Sequence, residues 1–533
     1  MRTHSRRRRF LAALAGAAAI GLVSAVAAAP ASGSAALPPP GTAAGDWPTA
    51  QGDQSGSRFN PYEWRINPFS VSHLKLKWAF THARSKLGLP AKSQPAVVGD
   101  SVYFGSTDAK FYSLNARTGK TQWTFDLGDT KFPTVALDGP TVAGNRVYFG
   151  TTGGRLYALN RWTGKLAWTT RLDTEPTALL TGSPLYYRGR VYVGVSSGEN
   201  TQGTDYPCCT FRGHIDSVDA QTGQVAWRYY TVPKPHRMGT WPSGAAHWGP
   251  SGGGVWSTPV VDPATGTLYV GTGQNYTGNS GDFDSMLALN SRTGAVRWKQ
   301  KMNNADTWRS TCNGPNAEKY CPGLHEGTAL DYDIGSMPNI FRVHGQTRVG
   351  VGQKSGVYHV FDAATGKIIW QRQLSEPFPS GGISGIQWGG SYDGRRIYVS
   401  TYYADPGTLW ALDPDTGKTI WRTPNPADGC TTGGAAKYKN CALAGQTAVT
   451  TSPGVVYEGS TDGKIRAYSA ETGKVLWTYD TVRNFRGVNG PVGRGSQISG
   501  GGGPVVSHGM LYVQSGYAGF PSDKGFVLLA FGL

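Results

Sequence analysis

In PCCTFRG, Cys208 and Cys209 stand side by side in a chain of 533 residues with six cysteines. In an exported protein six cysteines form three disulfides, and fifteen pairings are possible. Cys312 with Cys321 and Cys430 with Cys441 would each close a small loop. Cys208 and Cys209 are then left for one another, or each joins a distant cysteine. Neighbouring Cα atoms lie about 3.8 Å apart across a trans peptide, short of the usual ~4.4–6.8 Å of a disulfide, so a bridge between neighbours is a feature of functional sites more than of plain scaffold. Carboxylates that can take a proton or hold a cation occur in VSSGEN (Glu199) and LDYDIGS (Asp331 and Asp333), and a lysine stands in GQKSG (Lys354). A solvated loop glutamate and a surface lysine are the ordinary alternatives for Glu199 and Lys354. No C-x-x-C-H occurs: Cys321 is followed by Pro-Gly-Leu before His325, so covalent c-type haem is excluded.

These residues need a scaffold, and the sequence repeats one. LNARTGKTQW ends at Trp123, LNRWTGKLAW at Trp168, VDAQTGQVAW at Trp227 and LNSRTGAVRW at Trp298. FDAATGKIIW ends at Trp370, LDPDTGKTIW at Trp421 and YSAETGKVLW at Trp477. Upstream of each lies a β-branched and aromatic run such as SVYFGSTD or RVYFGTTG, so one unit supplies about four short strands, one propeller blade. KLKWAF, with Trp78, is an outer strand lacking the three before it, and the C-terminal PVVSHGMLYVQSGYAGFPSDKGFVLLAFGL is three strands lacking an outer one. Their pairing closes the ring, removes exposed edges and makes eight blades. Each Thr-Gly turn needs a glycine at positive φ, and each repeat tryptophan packs between blades, so both belong to the scaffold. Tryptophan spacings of 45, 45, 59, 71, 72, 51 and 56 put the insertions in the third to fifth blades. The unusual residues fall there too, where loops at one end of a repeat scaffold place binding groups.

Composition agrees with an all-β protein: 75 glycines, 17 tryptophans and 26 tyrosines against 16% charged residues. Residues 1–36 read as an export signal, with an arginine cluster, an apolar run and small residues suited to cleavage; the general secretory and twin-arginine routes both fit. Residues 37–45 read as a linker and 46–533 as the propeller, in a secreted or extracytoplasmic protein. No segment has the unbroken apolar length of a membrane span. Loss of five arginines with the signal takes the formal charge from +17 to +12. Such a surface steers acidic partners or keeps the protein soluble, and without basic clusters interleaved with aromatics nucleic-acid binding is not expected.

WPTAQGDQSGSRFNP, VSSGEN, PCCTFRG, WGPSGGGVW, QKSGVYHVFD and GMLYVQSGYAGF, in this order, resemble the quinoprotein alcohol dehydrogenases, and the polyvinyl alcohol dehydrogenases among them most. The resemblance covers nearly all of 46–533. It implies pyrroloquinoline quinone (PQQ) and calcium on the axis of an eight-bladed propeller. Trp256 would carry the flat quinone, with a Cys208–Cys209 disulfide on its other face. Glu199 would ligate calcium. Thr181, Ser196, Ser197, Gly198 and Arg212 would contact the quinone's carboxylates, with Lys92 doing so from the first blade. Lys354 would stand beside the quinone carbonyls, and Gln387 and Trp388 would line the site from the sixth blade.

Asp333 resembles the catalytic base, with Asp331 a loop cap or supporting group. The base would accept the hydroxyl proton as hydride passes to the quinone, calcium polarising its carbonyl. Gln274 stands where the family usually offers an Asn or Asp calcium ligand, with Asn275 beside it as a substitute. Calcium needs six to eight oxygens, so Glu199, Asp333 and one amide leave the cofactor to complete the shell. Gly335 lacks the further carboxylate of lanthanide-using relatives, which favours calcium. The expected reaction is oxidation of an alcohol, secondary and small or polymeric, with electrons passed to a separate acceptor such as a cytochrome c. A sugar or aldehyde substrate fits the same residues. The rival from another class is a secreted propeller that binds protein or polysaccharide without chemistry; only convergence of Glu199, Asp333, Trp256 and the cysteine pair at the axis separates the two.

Overall fold

The Thr-Gly turns lock one blade to the next. In the first, Asn115 Oδ1 accepts hydrogen bonds from the backbone N–H of Arg117 and Thr118 (3.1 and 3.0 Å), and Gly119 takes φ = 68°. A Cβ on the turn glycine of each of the seven repeats would come within 2.5–2.8 Å of the preceding outer-strand tryptophan, from Gly119 on Trp78 to Gly473 on Trp421. The indole of that tryptophan donates to a carbonyl of the same turn, as Trp78 does to Ala116 (3.0 Å) and Trp421 to Ala470 (3.0 Å). Glycine is therefore required twice, for its backbone and for the ring that covers it.

The computed structural model describes Met1, 39–83, 90–128, 136, 138–324, 329–377, 384–402, 406–445, 447–498, 500, 502–517, 520 and 524–533. The expected export signal lies outside the described residues apart from Met1, as do residues 37 and 38 of the expected linker. Eight antiparallel sheets follow one another along the chain, as the repeats imply. Blade 1 is Ala96–Val98, Ser101–Gly105, Lys110–Asn115 and Thr121–Asp126, from the inside outward. Blade 8 is Val505–Ser507, Met510–Ser515 and Phe526–Gly532, completed on the outside by Lys75–His82, whose Phe80 faces Leu528. The two ends of the chain thus share one sheet, as expected. Inner and middle strands are buried nearly throughout, because neighbouring blades cover both their faces; the outer strand Thr121–Asp126 alternates and is mostly exposed. The three disulfides are Cys208–Cys209, Cys312–Cys321 and Cys430–Cys441, which settles the pairing left open by the sequence. No helix among the described residues is long and apolar enough to cross a membrane.

A second ring lies inside the first. The segment WPTAQGDQSGSRFN visits the innermost strand of every blade in order. Trp47 exchanges backbone hydrogen bonds with Val97 of blade 1, and Pro48 accepts from Val142 of blade 2. Gln54 donates its side chain to Tyr186 of blade 3 and its carbonyl accepts from Val261 of blade 4. Ser55, Ser57 and Arg58 accept from Ile340, Tyr392 and Thr451 of blades 5, 6 and 7, and Asn60 donates to Val506 of blade 8. Arg58 is wholly buried. It donates to the carbonyls of Val449 (2.8 Å) and Ala50, to Gln94 Oε1 (3.0 Å) and to Thr450 Oγ1 (2.7 Å), and burial lowers its pKa to about 9. This segment is a floor across the ring.

Arg58→Leu should leave several buried acceptors without donors, at about 1–3 kcal/mol each, and lower the denaturant midpoint strongly. Exposed Arg65→Leu is the control, expected to stay within about 0.5 kcal/mol. Equal midpoints for the two variants would show that the floor does not stabilise the ring.

Candidate active site

Six of the candidate site residues precede the inner strands that carry the floor. Lys92, Thr181, Trp256, Asp333, Gln387 and Trp388 sit three to six positions before the inner strands of blades 1, 3, 4, 5 and 6, so the floor lies behind them. Asp333 is the hub and is 2% exposed. Its Oδ1 accepts from the backbone N–H of Gln274, and its Oδ2 from Nζ of Lys354 at 2.5 Å. Lys354 also reaches Oδ1 of Asp331 at 2.9 Å. Burial pushes the Asp333 carboxyl up to about 7, Lys354 opposing and Asp331 adding to the rise. Burial works against the charge on Lys354, but its two carboxylate partners outweigh it and hold the ammonium protonated.

Trp256 stands beside this group, with Lys354 Nζ 5.4 Å from its ring centre. A Cβ at Gly273 would meet Asp333 Oδ1 at 2.6 Å and Trp256 Nε1 at 2.9 Å, and one at Gly335 would fall inside the Trp256 ring. The missing side chain at 335 is therefore a packing requirement as well as a missing ligand. The edge of Trp388 meets Trp256 at 5.9 Å, and Lys92 Nζ lies 5.8 Å over Trp388. Cations and indoles from blades 1, 4, 5 and 6 thus meet in one chain of contacts.

Glu199 organises the cysteine pair. Ser197 caps the short turn that carries it (3.0 Å to the Glu199 N–H), and the carboxylate accepts from the backbone N–H of Thr210 (2.8 and 3.0 Å) and Phe211 (2.8 Å), directly after the cysteines. Oxygen of Glu199 and both sulfurs lie within 4.8 Å of one another, all buried. Burial raises its pKa to about 7 against those hydrogen bonds. The Thr181 and Ser196 hydroxyls pair at 3.1 Å, Ser197 binds Glu175 at 2.7 Å, and the Gly198 N–H donates to Thr177. Trp241 closes over the cysteines, its indole donating to the Cys208 carbonyl at 3.2 Å.

Sequence reasoning missed three partners. The Gln274 amide lies between the two halves, its oxygen toward the Asp333 carboxylate and its nitrogen toward Asn200. Asp284, gripped by Gln353 (2.8 and 3.0 Å), and Asp306 are both fully buried, and burial with repulsion from Asp333 raises their pKa, that of Asp284 to about 8. Asn200 adjoins Glu199 in the sequence, but nothing local marks Asp284 or Asp306, whose neighbours arrive through ring closure. Arg212 stacks its guanidinium on Tyr230 (3.7 Å) and donates to the Val232 carbonyl (3.1 Å).

The donor set fits a hard cation, being rich in buried carboxylate oxygen. Buried polar atoms without a partner among the described residues include Gln387 Oε1 and Trp388 Nε1, and with the Trp388–Trp256 contact they fit a polar planar ligand. Residues 47–310 match the family profile described as glucose/ethanol/alcohol dehydrogenase, beta-propeller domain, and the repeats of 353–518 match one described as outer membrane protein assembly factor BamB. A polyvinylalcohol dehydrogenase of Sphingopyxis sp. (strain 113P3) is 35% identical over 506 residues, 91% of this chain and 74% of that one. One from Pseudomonas sp. is 32% identical, over 90% and 75%. The chain belongs to the quinoprotein alcohol dehydrogenases.

Among solved structures, a europium-containing methanol dehydrogenase (TM-score 0.67, 19% identity, 92% of this chain and 98% of that one) shares the fold. The quinohemoprotein alcohol dehydrogenase of Comamonas testosteroni does so with TM-score 0.66 and 19% identity, over 92% and 80%. This quinoprotein alcohol dehydrogenase is a PQQ-dependent oxidoreductase that acts on an alcohol and passes electrons to a separate acceptor. Beneath its cysteine loop, buried His214 lies between Asp173 (Nε2, 3.0 Å) and Asp216 (Nδ1, 3.3 Å), and Asp216 also takes Arg228 at 2.6 Å. Burial alone would lower the imidazole pKa, but the hydrogen bonds to both carboxylates outweigh it and raise it.

A raised folded-state pKa means that this stabilisation is complete below the unfolded value of about 6.5 and fades as pH rises through the folded value. His214→Gln should therefore lower Tm most at pH 6 and progressively less toward pH 9. A deficit that grows with pH would contradict the protonated imidazolium.

Proposed function

We propose that this quinoprotein is exported and oxidises secondary alcohols, polyvinyl alcohol among them, to ketones with PQQ and calcium, giving electrons to a carrier such as a cytochrome c. Residues 1–36 serve as its export signal, 37–45 as a linker and 46–533 as the catalytic propeller. The carrying observation is Asp333, buried beside Trp256 with one oxygen on Lys354 and the other on Gln274. The similarity to polyvinylalcohol dehydrogenases supports the polymer as substrate.

Bound at this site, PQQ would supply the hydride acceptor and calcium a Lewis acid. The chain's own residues do the rest. Asp333 takes the hydroxyl proton on its carboxylate, which burial has brought close to neutral pH in affinity. Lys354 stays protonated and keeps the plane of that carboxylate fixed. Trp256, seated on Gly273 and Gly335, offers an indole face for stacking, and the Cys208–Cys209 bridge offers a compact apolar surface held in place by Glu199. Glu199 and Asp333 are the protein's carboxylate ligands for the metal. Lys92 and the Thr181–Ser196 hydroxyl pair supply charge and hydrogen bonds for the quinone's carboxylates.

The protein incubated with PQQ and calcium should reduce an artificial dye with secondary alcohols and with polyvinyl alcohol, and less with sugars or aldehydes. Asp333→Asn, which keeps the shape and loses the proton acceptor, should cut kcat about 10²–10⁴-fold while PQQ absorbance stays with the protein. Dye reduction by Asp333→Asn at the wild-type rate would remove Asp333 from the reaction.

A further inference from the structure

Blades 1, 3, 4, 5 and 6 each place a candidate site residue a few positions before the inner strand. In blade 2 that strand is Thr141–Ala143, and the residue three positions before it is Asp138. Asp138 is 8% exposed, and its Oδ2 is buried with no hydrogen-bond partner among the described residues. A carboxylate oxygen taken out of water without a partner works against folding, so its use lies outside the fold. Its backbone is tied to the segment that carries Lys92. The Asp138 carbonyl accepts from Oγ of Ser93, the residue after Lys92, at 2.9 Å, and that oxygen accepts from the Gly105 N–H at 2.9 Å. A Cβ at Gly139 would meet the Gln94 carbonyl at 3.1 Å and Ala50 of the floor at 3.2 Å, so the next residue is packed in place as well.

The charge that acts on Asp138 is the ammonium of Lys92, which opposes the effect of burial; burial prevails and lifts the carboxyl pKa to about 6. Lys92 Nζ lies over Trp388, 5.8 Å from the ring centre, and makes no ion pair with Asp138 among the described residues. On the floor side the next cation is Arg58, and it is engaged by Gln94 Oε1 and by the carbonyls of Ala50 and Val449. We propose that Asp138 is the blade 2 member of the cofactor site, taking up a proton as PQQ binds and donating it in a hydrogen bond from Oδ2 to the quinone carboxylate that Lys92 faces. The inference rests on the placement of the quinone's carboxylates at Lys92 proposed above. Two carboxylates hydrogen-bond only with a proton between them, and the charge of the incoming anion strengthens the hold of Asp138 on that proton. The proton comes from solvent and returns there when the quinone leaves.

The experiment uses the full chain at saturating calcium, titrated with PQQ by calorimetry at pH 6, 7 and 8 in buffers of different ionisation enthalpy, so that proton uptake is read beside Kd. Asp333 and Glu199 also titrate in this range, so the reading is the difference between wild type and Asp138→Asn, which keeps the shape and offers an N–H with no proton to take up. The variant should take up about one proton fewer per PQQ at pH 7. Its Kd should stay within about threefold of wild type at pH 6 and be about tenfold tighter at pH 8. Its Tm without PQQ should be no lower than that of wild type, because a carboxyl whose folded pKa is raised opposes folding above its unfolded value of about 3.9. Equal proton uptake by the two proteins overturns the inference, and a KM raised by Asp138→Asn with that uptake unchanged would move Asp138 to an alcohol hydroxyl instead. Lys92→Met should weaken PQQ binding about tenfold. A Kd that Lys92→Met leaves unmoved overturns the placement at Lys92, a failure distinct from equal proton uptake.

Discussion

The contact on which the ring depends is an indole laid on a glycine. Seven times a Thr-Gly turn slides under the outer tryptophan of the blade before it and offers that tryptophan a carbonyl. The stacking area is large and the hydrogen bond gives it direction, so each lock fixes the angle between two sheets as well as their contact. Small errors in that angle would add around a ring of eight and leave a gap. Among the described residues, the junction without this lock is where blade 7 meets blade 8. There Trp477 packs edge-on against Phe531 at 5.3 Å, and closure is completed by Lys75–His82 joining the C-terminal sheet.

The floor solves a different problem. Inner strands of a wide ring present backbone groups to the axis, and those need partners. The segment from Trp47 to Asn60 supplies them blade by blade, so the same residues that satisfy the inner strands also register all eight relative to one another. Its position sets the direction of the site. With the floor bonded to the inner strands, the loops that precede those strands are left to carry Lys92, Trp256, Asp333 and Trp388.

Scaffold features were legible in the sequence because they are local. A Thr-Gly turn ten residues from a β-branched run needs no tertiary knowledge, and the unmatched outer strand at Trp78 called for a sheet at the other end of the chain. The cysteine pair, Glu199, Trp256 and Asp333 could be named because they resemble a family. What could not be read were pairings made only by closure. Asn200 and Gln274 are 74 positions apart and Asp284 and Gln353 are 69 apart, joined by atoms whose orientation no motif records. The floor was equally hidden: WPTAQGDQSGSRFNP has neither the period of a strand nor that of a helix, since its partners come from eight different sheets.

Burial favours the neutral form of Asp284, Asp306 and Asp333; repulsion from Asp333 and Asp331 adds to it for the first two, and Asp331 adds to it for Asp333 against Lys354. Asp331 adds a fourth carboxyl within reach of Lys354. One ammonium cannot balance such a set. A fold can tolerate excess buried negative charge only by taking up protons or a cation, and a divalent ion offsets two charges while leaving the carboxylates free of protons. A base that must accept a proton from an alcohol cannot already carry one. The crowding of carboxyls around Asp333 therefore suits both the cation and the free base proposed above: the same repulsion that favours a proton on Asp333 also favours an ion beside it.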